Sequence, residues 1–506
     1  MGRVLTNNIT IQAAREESLG VLPGSPDWKL LEPNSVGSFG ADITTVKRQP
    51  ISKDKQNRKG TVTDLDSSVE WEADLTMDVF SEFIEGFCFV TAVNSDLLFE
   101  KVDVGGTGFT IPSATAAQAA KLQFTSGGPI SLLYSRGYAI PANNGLKPLT
   151  VDVASTDTVM QFSGASAETA PAKAIVEVAG IRAESGDLAL TVSSGVGTLT
   201  SGNNGAVNNI DFTTLGLTVG QFIHIGGLTA SEQFSAGAGY GRITSIAAGT
   251  VLLDKLDAAL ATDPGTGEQI DLLYGRFIRN VSVDDSDYLE ISYQFEGSYP
   301  NLGAGGVTEY EYSLGNYCNQ VTFNLPLTDK ATCSFGFIGT DTEVPTTTRK
   351  SGAATAREVA RDDALNTSAD VARLRITQVD ETGLTTDFKS FSLTLLNNVA
   401  GEKVIAQLGA KYMNTGNFEV TADGQILFTN GDVVSAIRNN TTVTMDFILA
   451  GDNDGAIAVD IPSLTLGGGG KDFPVNESVL LNTTGTAFKD GTLDTSIGVS
   501  LFAIVP

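Results

Sequence analysis

Few residues in this chain stand at a spacing that could do chemistry. Gly467–Lys471 reads GGGGK and superficially resembles a phosphate loop. That loop needs a glycine separated by four residues from its Gly-Lys and a Ser or Thr after it, whereas this chain has Thr465 and Asp472 there. The run predicts a flexible bend between strands instead. Asp452, Asn453, Asp454 and Gly455 could cradle calcium with Asp460, but the helix-loop-helix calcium spacing and its terminal Glu are missing, and a type I′ hairpin turn accounts for them better. His224 is the sole histidine, in FIHIGG on the face opposite Ile223 and Ile225, and is read as surface or as a satisfied neighbour of Phe222. The acidic pairs Asp284/Asp285 and Asp362/Asp363 point in different directions on any strand or helix, so adjacency makes no acid/base couple. Cys88, Cys318 and Cys333 show no CxxC spacing. No catalytic, metal-binding or cofactor-binding residue is assigned, and the chain is not expected to be an enzyme. A glycan-cleaving site would need two carboxylates facing each other across a cleft.

One cluster remains. Lys47, Arg48, Lys53, Lys55, Arg58 and Lys59 are six of the 32 basic residues and have only Asp54 among them. Bordered by polar turn residues, they read as a long hairpin arm spanning about residues 41–62.

The elements that must position these residues are mainly strands. Val69, Trp71, Ala73 and Leu75 alternate with Glu70, Glu72 and Asp74, the period of a half-buried strand. Val79, Phe80, Phe83, Ile84 and Phe87 then follow at helical spacing, with Asp78 placed to cap the first turn and Gly86 near the stop. From about Thr107 to Tyr274 the chain turns to Ala, Gly, Ser and Thr, with strand candidates including LQFTS, LTVDVA, AIVEVAGI, FIHIGG and TVLLDK, and reads as an inserted all-β domain or pair of domains. Aromatic-rich strands resume at YGRFIRNVSV. A polar connector from Glu343 to Asp370, with a short helix around Ala356 to Leu365, leads to a last strand-rich block.

The last block echoes the first. VEWEADLTMDVFSEFI (Val69 to Ile84) and FEVTADGQILFTNGDVVSAIR (Phe418 to Arg438) share the order strand, helix, strand, aligned here with a spacer five residues longer in the second copy. The expected units are 1–106 and 275–342 (a first unit split by the insertion 107–274), the linker 343–370 and a second unit 371–506.

Length, composition and charge agree. The chain's 506 residues exceed one growing core, and 55 glycines suit tight turns between short strands. With 59 acids against 32 bases, net −27, the chain is poorly suited to gripping a phosphate backbone; the acidity suits the wall of a channel through which DNA must slide, and the plain alternative is that it only keeps the protein soluble. No apolar run is long enough to span a bilayer, and MGRVLTNNITIQ lacks the apolar core of a signal peptide, so a soluble, unexported protein is expected.

The opening ESLGVLPGSPDWKLLEPNSVGS, the basic arm followed by SSVEWEADLTMDVFSEFIEGF, then FTTLGLTVGQFIHIGG, GRITSIAAGTVLLDK, YCNQVTFNLPLTDKATCSFGFIG, TVTMDFIL and SIGVSLFAIV together resemble the tail tube (major tail) proteins of long, non-contractile-tailed bacteriophages. The resemblance covers most of the chain in the family's order. It implies tail-tube-type β-sandwich or barrel units with a flanking helix, a structural role in the virion tail, and rings of self-associated chains stacked around a channel that passes DNA without binding it specifically. It also implies contacts with other tail proteins, no membrane, and synthesis in the host cytoplasm. The arm would reach an adjacent ring, its six positive charges meeting acidic neighbours; the plain alternative is a solvated loop. Duplication implies a trimeric ring in place of a hexamer, with a sixfold ring of single-unit chains as the other geometry, and lets the insertion sit outside the tube wall. The rival from another class is a β-modular surface or virion adhesin that binds glycans or receptors.

Overall fold

A computed structural model describes residues 4–51, 53, 55–111, 118, 121–122, 129–150, 159–202, 209–300, 306–356, 363–384, 387–452 and 454–506. The fold is mainly β, as the sequence reading expects. Sixteen strands form one large antiparallel body, labelled here in chain order: β1 (Thr10–Arg15), β2 (Trp28–Leu31), β3 (Ser35–Arg48), β4 (Arg58–Asp74), β5 (Arg276–Arg279), β6 (Tyr293–Tyr299), β7 (Glu309–Leu325), β8 (Thr332–Gly339), β9 (Asp341–Thr342), β10 (Val371–Gln378), β11 (Phe388–Leu396), β12 (Glu419–Leu427), β13 (Thr442–Ala450), β14 (Ala456–Asp472), β15 (Leu480–Ala487) and β16 (Gly498–Phe502). Helix α1 (Met77–Cys88) follows β4 and helix α2 (Asp432–Asn439) follows β12.

The body repeats itself. In its first half β1 pairs with β6, β6 with β7, β7 with β8, β8 with β4, and β4 with β3. In its second half β10 pairs with β13, β13 with β14, β14 with β15, β15 with β12, and β12 with β11. The graphs are the same. Strands β7 and β14 are both 17 residues long, β8 and β15 both 8. Each helix ends on a non-glycine residue in the left-handed region, Phe89 and Asn440, both at φ 50°.

Pairing corrects the register of the sequence echo. The β7–β8 ladder is interrupted between Cys318 and Gln320, and the β14–β15 ladder between Gly468 and Gly470. Just past the interruption, Gln320 faces Gly336, which faces Glu70; in the second half Gly470 faces Asn482, which faces Gln425. Glu70 is therefore the counterpart of Gln425, not of Glu419. Both helices then begin seven residues later, at Met77 (77 − 70) and Asp432 (432 − 425), and no longer spacer exists. The reason is the two-residue period: any even shift keeps the apolar side inward, so a local match cannot fix register.

A single core runs through both halves. Val69, Trp71, Ala73 and Leu75 of the β4 region are buried, as alternation demands, and Phe80, Phe83, Ile84 and Phe87 of α1 are fully buried against them. Phe83 touches the rings of Trp71, Tyr293, Phe295, Phe335 and Phe337. At roughly 1.5–3 kcal/mol per fully buried large apolar side chain, α1 is held by tertiary burial more than by its own propensity. One expected feature of α1 differs. The N-cap position is Thr76, and Asp78, inside the first turn, pairs its carboxylate with Arg136 of the insertion at 2.6 Å. Gly86 does lie near the stop, just before the helix ends at Cys88, and a Cβ there would collide with the Tyr293 hydroxyl, so close packing is what requires glycine.

The inserted region builds its own ten-stranded antiparallel sheet and its own core around Val178, Ile181, Ile223, Ile225, Leu253 and Leu272. Its sheet also takes in Leu98–Glu100, upstream of residue 107. The expected strands at LQFTS and LTVDVA fall mostly outside the described residues. The segment expected as a connector is packed where it is described: Ala353 is buried, Ser351 accepts a hydrogen bond from the Trp28 indole, and Leu365 exchanges backbone hydrogen bonds with Ala331 and Leu75. Most of its expected helix, residues 357–362, lies outside the described residues.

Candidate functional site: a polar face across eight strands

The strands β3, β4, β8, β7, β11, β12, β15 and β14 form one continuous surface crossing both halves. Its inward side is the apolar core. Its other side is set by the alternate residues, and the ladders align these into rows. One row reads Ser35, Glu72, Ser334, Thr322, Thr394, Thr421, Thr486, Thr465. The next reads Asp74, Thr332, Asn324, Ser392, Asp423, Thr484, Gly467. A third reads Ser38, Glu70, Gly336, Gln320, Leu396, Glu419.

These rows contain hydroxyls, amides, glycines, one leucine and five carboxylates, and no Lys or Arg. Glu70, Glu419 and Asp423 are exposed, Glu72 and Asp74 half-buried. Lys330 reaches Asp74 from a turn at one margin, 2.7 Å away. Such a face cannot pair a phosphate backbone through cations and repels it through carboxylates. Where β7 meets β11 and β12 meets β15 the surface sinks into a shallow depression lined by Asn324, Ser392, Asp423, Gln425, Asn482 and Thr484. The sequence signal for this face is the Thr/Ser alternation in QVTFNL, FSLTLL and LLNTTGT; its alignment into rows becomes visible only with the ladders in hand.

The basic residues singled out in the sequence stand elsewhere. β3 and β4 extend as a hairpin beyond the body, with Arg48 opposite Arg58. Lys47, Arg48, Lys53, Lys55, Arg58 and Lys59 are all exposed on it, together with the apolar side chains of Ile43, Val46, Ile51 and Val62. Asp54 lies outside the described residues. In the second half the counterpart hairpin, Ala400–Lys403 with Ala410–Asn414, is short and lies back on the first half: Lys403 pairs with Asp64 and Asp66, and Ala410 donates its backbone N–H to Thr340. The Lys403 ammonium holds the exposed Asp64 carboxyl below its ordinary range.

The remaining candidates resolve into structure. GGGGK lies within β14, not in a bend between strands, with Gly468 and Gly469 at φ 82° and 90° allowing the ladder interruption. GDNDG joins β13 to β14 as a five-residue connection between Ala450 and Ala456, longer than the two-residue turn expected; Asn453 lies outside the described residues. Asp460 turns away from that turn and pairs with Arg242 and Lys255. His224 is buried, not surface: its Nδ1 lies 2.9 Å from the Gly226 carbonyl and its ring stands edge-on to Tyr240. Burial lowers its pKa to about 4. Asp285 accepts the Asp287 backbone N–H in a turn, and Asp362 lies outside the described residues. All three cysteines are buried free thiols. Among the described residues no group of three His, Cys, Asp or Glu is placed to hold a metal.

Both halves of a duplicated antiparallel body thus contribute to one polar, acidic surface whose rows contain no Lys or Arg. The chain matches the family model of phage tail tube proteins over residues 6–487, nearly its whole length, and belongs to that family; it is a structural component of a bacteriophage tail. No curated protein matches it.

Proposed function

We propose that the eight-strand polar face lines the bore of the tail tube and that rings of three chains stack to form the channel through which DNA leaves the virion. The observation that carries this is the set of rows just described: five carboxylates and a field of hydroxyls, with no Lys or Arg in the rows, on a surface that crosses both halves of the chain. The duplicated pairing graph supports threefold rings, since three chains then supply six similar units. The margins support closure, because among the described residues β3 pairs with β4 alone, as a subunit that completes its sheet with a neighbour requires. In this reading the basic arm, with its exposed Ile43, Val46, Ile51 and Val62, makes the contact between rings.

Glu70→Lys/Glu72→Lys/Glu419→Lys tubes, compared with unsubstituted tubes for retention of double-stranded DNA at low salt, test the reading. Unsubstituted tubes should retain none and substituted tubes should retain it strongly. Equal retention would place these residues away from the bore.

A further inference from the structure

Along the polar face the two halves join edge to edge within the chain where β7 meets β11. Leu325 faces Phe391, Asn324 faces Ser392, Phe323 faces Leu393, Thr322 faces Thr394, Val321 faces Leu395 and Gln320 faces Leu396, so the last third of β7 is completed by β11. On the core side this junction stacks Phe323 and Val321 beside Leu393 and Leu395, all buried; on the other it continues the polar rows.

The same two elements recur with nothing between them. β14 is the counterpart of β7, and its last third is paired with β15 on one side only. β3 is the counterpart of β11 and is paired with β4 on one side only. Counterpart positions follow from the ladders: Gln320 corresponds to Gly470 just past each interruption, and Ser38 opposite Glu70 corresponds to Ser390 opposite Gln425. The sequences agree at that point, Ser38-Phe39 against Ser390-Phe391.

We infer that β14 of one chain pairs antiparallel with β3 of the next, in the register of the internal junction: Gly470 opposite Thr44, Lys471 opposite Ile43, Asp472 opposite Asp42 and Phe473 opposite Ala41, with Val475 beside Phe39. This rests on the tube reading and specifies its partner surface as a second copy of this chain. Three further observations fit. Phe473, Val475 and Ile43 are large apolar side chains left 73%, 86% and 52% exposed, and all three fall on the core side of the seam. A Cβ at Gly470 would meet nothing within 4 Å, so the polar side of the sheet is uncovered at this position. The seam carries the polar face onward through Gly470, Asp472, Asp42 and Thr44, closing the rows around the ring. Asp472 opposite Asp42 is unfavourable by itself; covering three large apolar groups on the opposite side outweighs it. The glycine run that failed as a phosphate loop thus becomes the leading edge of the chain-to-chain joint.

Directly opposed residues on paired antiparallel strands have Cα atoms at disulfide distance, while neighbours one position off point to the other face. Lys471→Cys/Ile43→Cys chains, assembled and oxidised, should give a ladder on a non-reducing gel that stops at the covalent trimer. Phe473→Cys/Ala41→Cys should do the same and guards against one pair failing to fold. Lys471→Cys/Thr44→Cys should cross-link at least tenfold less. The three native thiols are buried and supply little background. Tubes that form while neither in-register pair cross-links, or in which Lys471→Cys/Thr44→Cys is the reactive combination, would overturn the seam and leave the tube reading standing. A ladder continuing past three would overturn the threefold closure. Failure of the unsubstituted chain to form tubes with its tail partners counts against the tube reading itself.

Discussion

The two halves of the body share a chain of five strand pairings yet solve the problem of their outer sheets differently. In the first half a fully buried acid is Glu296 on β6, held by Arg349, by the Gln12 amide and by the Tyr312 hydroxyl, and the cover is the packed segment around Arg349 to Ala353. In the second half a fully buried acid is Asp446 on β13, held by Lys255, Arg373 and Arg375, and the cover is the inserted domain. Phe222 and Tyr240 of that domain pack on Ile448, Ala458 and Phe502, while Leu132, Ala179 and Leu273 clasp Ala503 and Ile504. The insertion leaves the first half and docks on the second. It is a brace across the duplication. The comparison teaches that the ladder, made by backbone, can be copied unchanged, whereas what seals each copy is free to diverge.

The largest effect expected from breaking this comparison is at Asp446. Burial raises its pKa, but Lys255, Arg373 and Arg375 outweigh burial and hold it below the ordinary carboxylate range. Asp446→Ala leaves buried cations without their shared partner and should cost about 3–5 kcal/mol in chemical denaturation. Glu296→Ala, whose Arg349 is part-exposed and can hydrate, should cost only about 1–3 kcal/mol. Equal costs would mean that the two covers are interchangeable.

The helices sharpen the same contrast. α1 buries most of its residues, whereas α2 buries only Val433 and Ala436. Phe83→Ala should therefore cost about 3–5 kcal/mol, and Val433→Ala less than half as much. Gly86→Ala should fall between, about 1–3 kcal/mol, because its new methyl strikes Tyr293.

His224 offers a pH handle on the brace. Its folded pKa, about 4, lies below the ordinary 6.5, so the unfolded chain binds the extra proton between those values. Its contribution is fully present above pH 6.5 and is lost as pH falls toward 4, up to about 3 kcal/mol. His224→Gln should flatten the pH dependence of insertion unfolding in that window, measured by scanning calorimetry. The smallest effect belongs to the short hairpin. Lys403→Ala removes exposed pairs to Asp64 and Asp66, should cost less than about 1 kcal/mol, and should show only as faster amide exchange in residues 400–414.

Much of this was legible in the sequence where periodicity is strong. Alternation around Trp71 and the helical spacing of Phe80, Phe83 and Phe87 place strand, helix and core without any ladder. The arm was legible because charges that dense do not enter a core. What stayed hidden is relational. An even shift in register leaves the apolar pattern intact, so the echo misaligned Glu70. His224 looked exposed because alternation gives sides, not what covers them. The GGGGK run lay in a strand because an edge tolerates glycine that a loop would also choose. The polar face was present as scattered Thr and Ser, and only pairing turned it into a surface.

The central claim, that the eight-strand face lines a threefold tube, is tested most directly by an electron cryomicroscopy reconstruction of assembled tubes. It predicts three chains per ring, with Glu70, Glu72, Asp74, Glu419 and Asp423 facing the lumen and β14 continuous with β3 of the next chain. Six chains per ring, or a lumen lined by the inserted domain or by the basic arm, would contradict it.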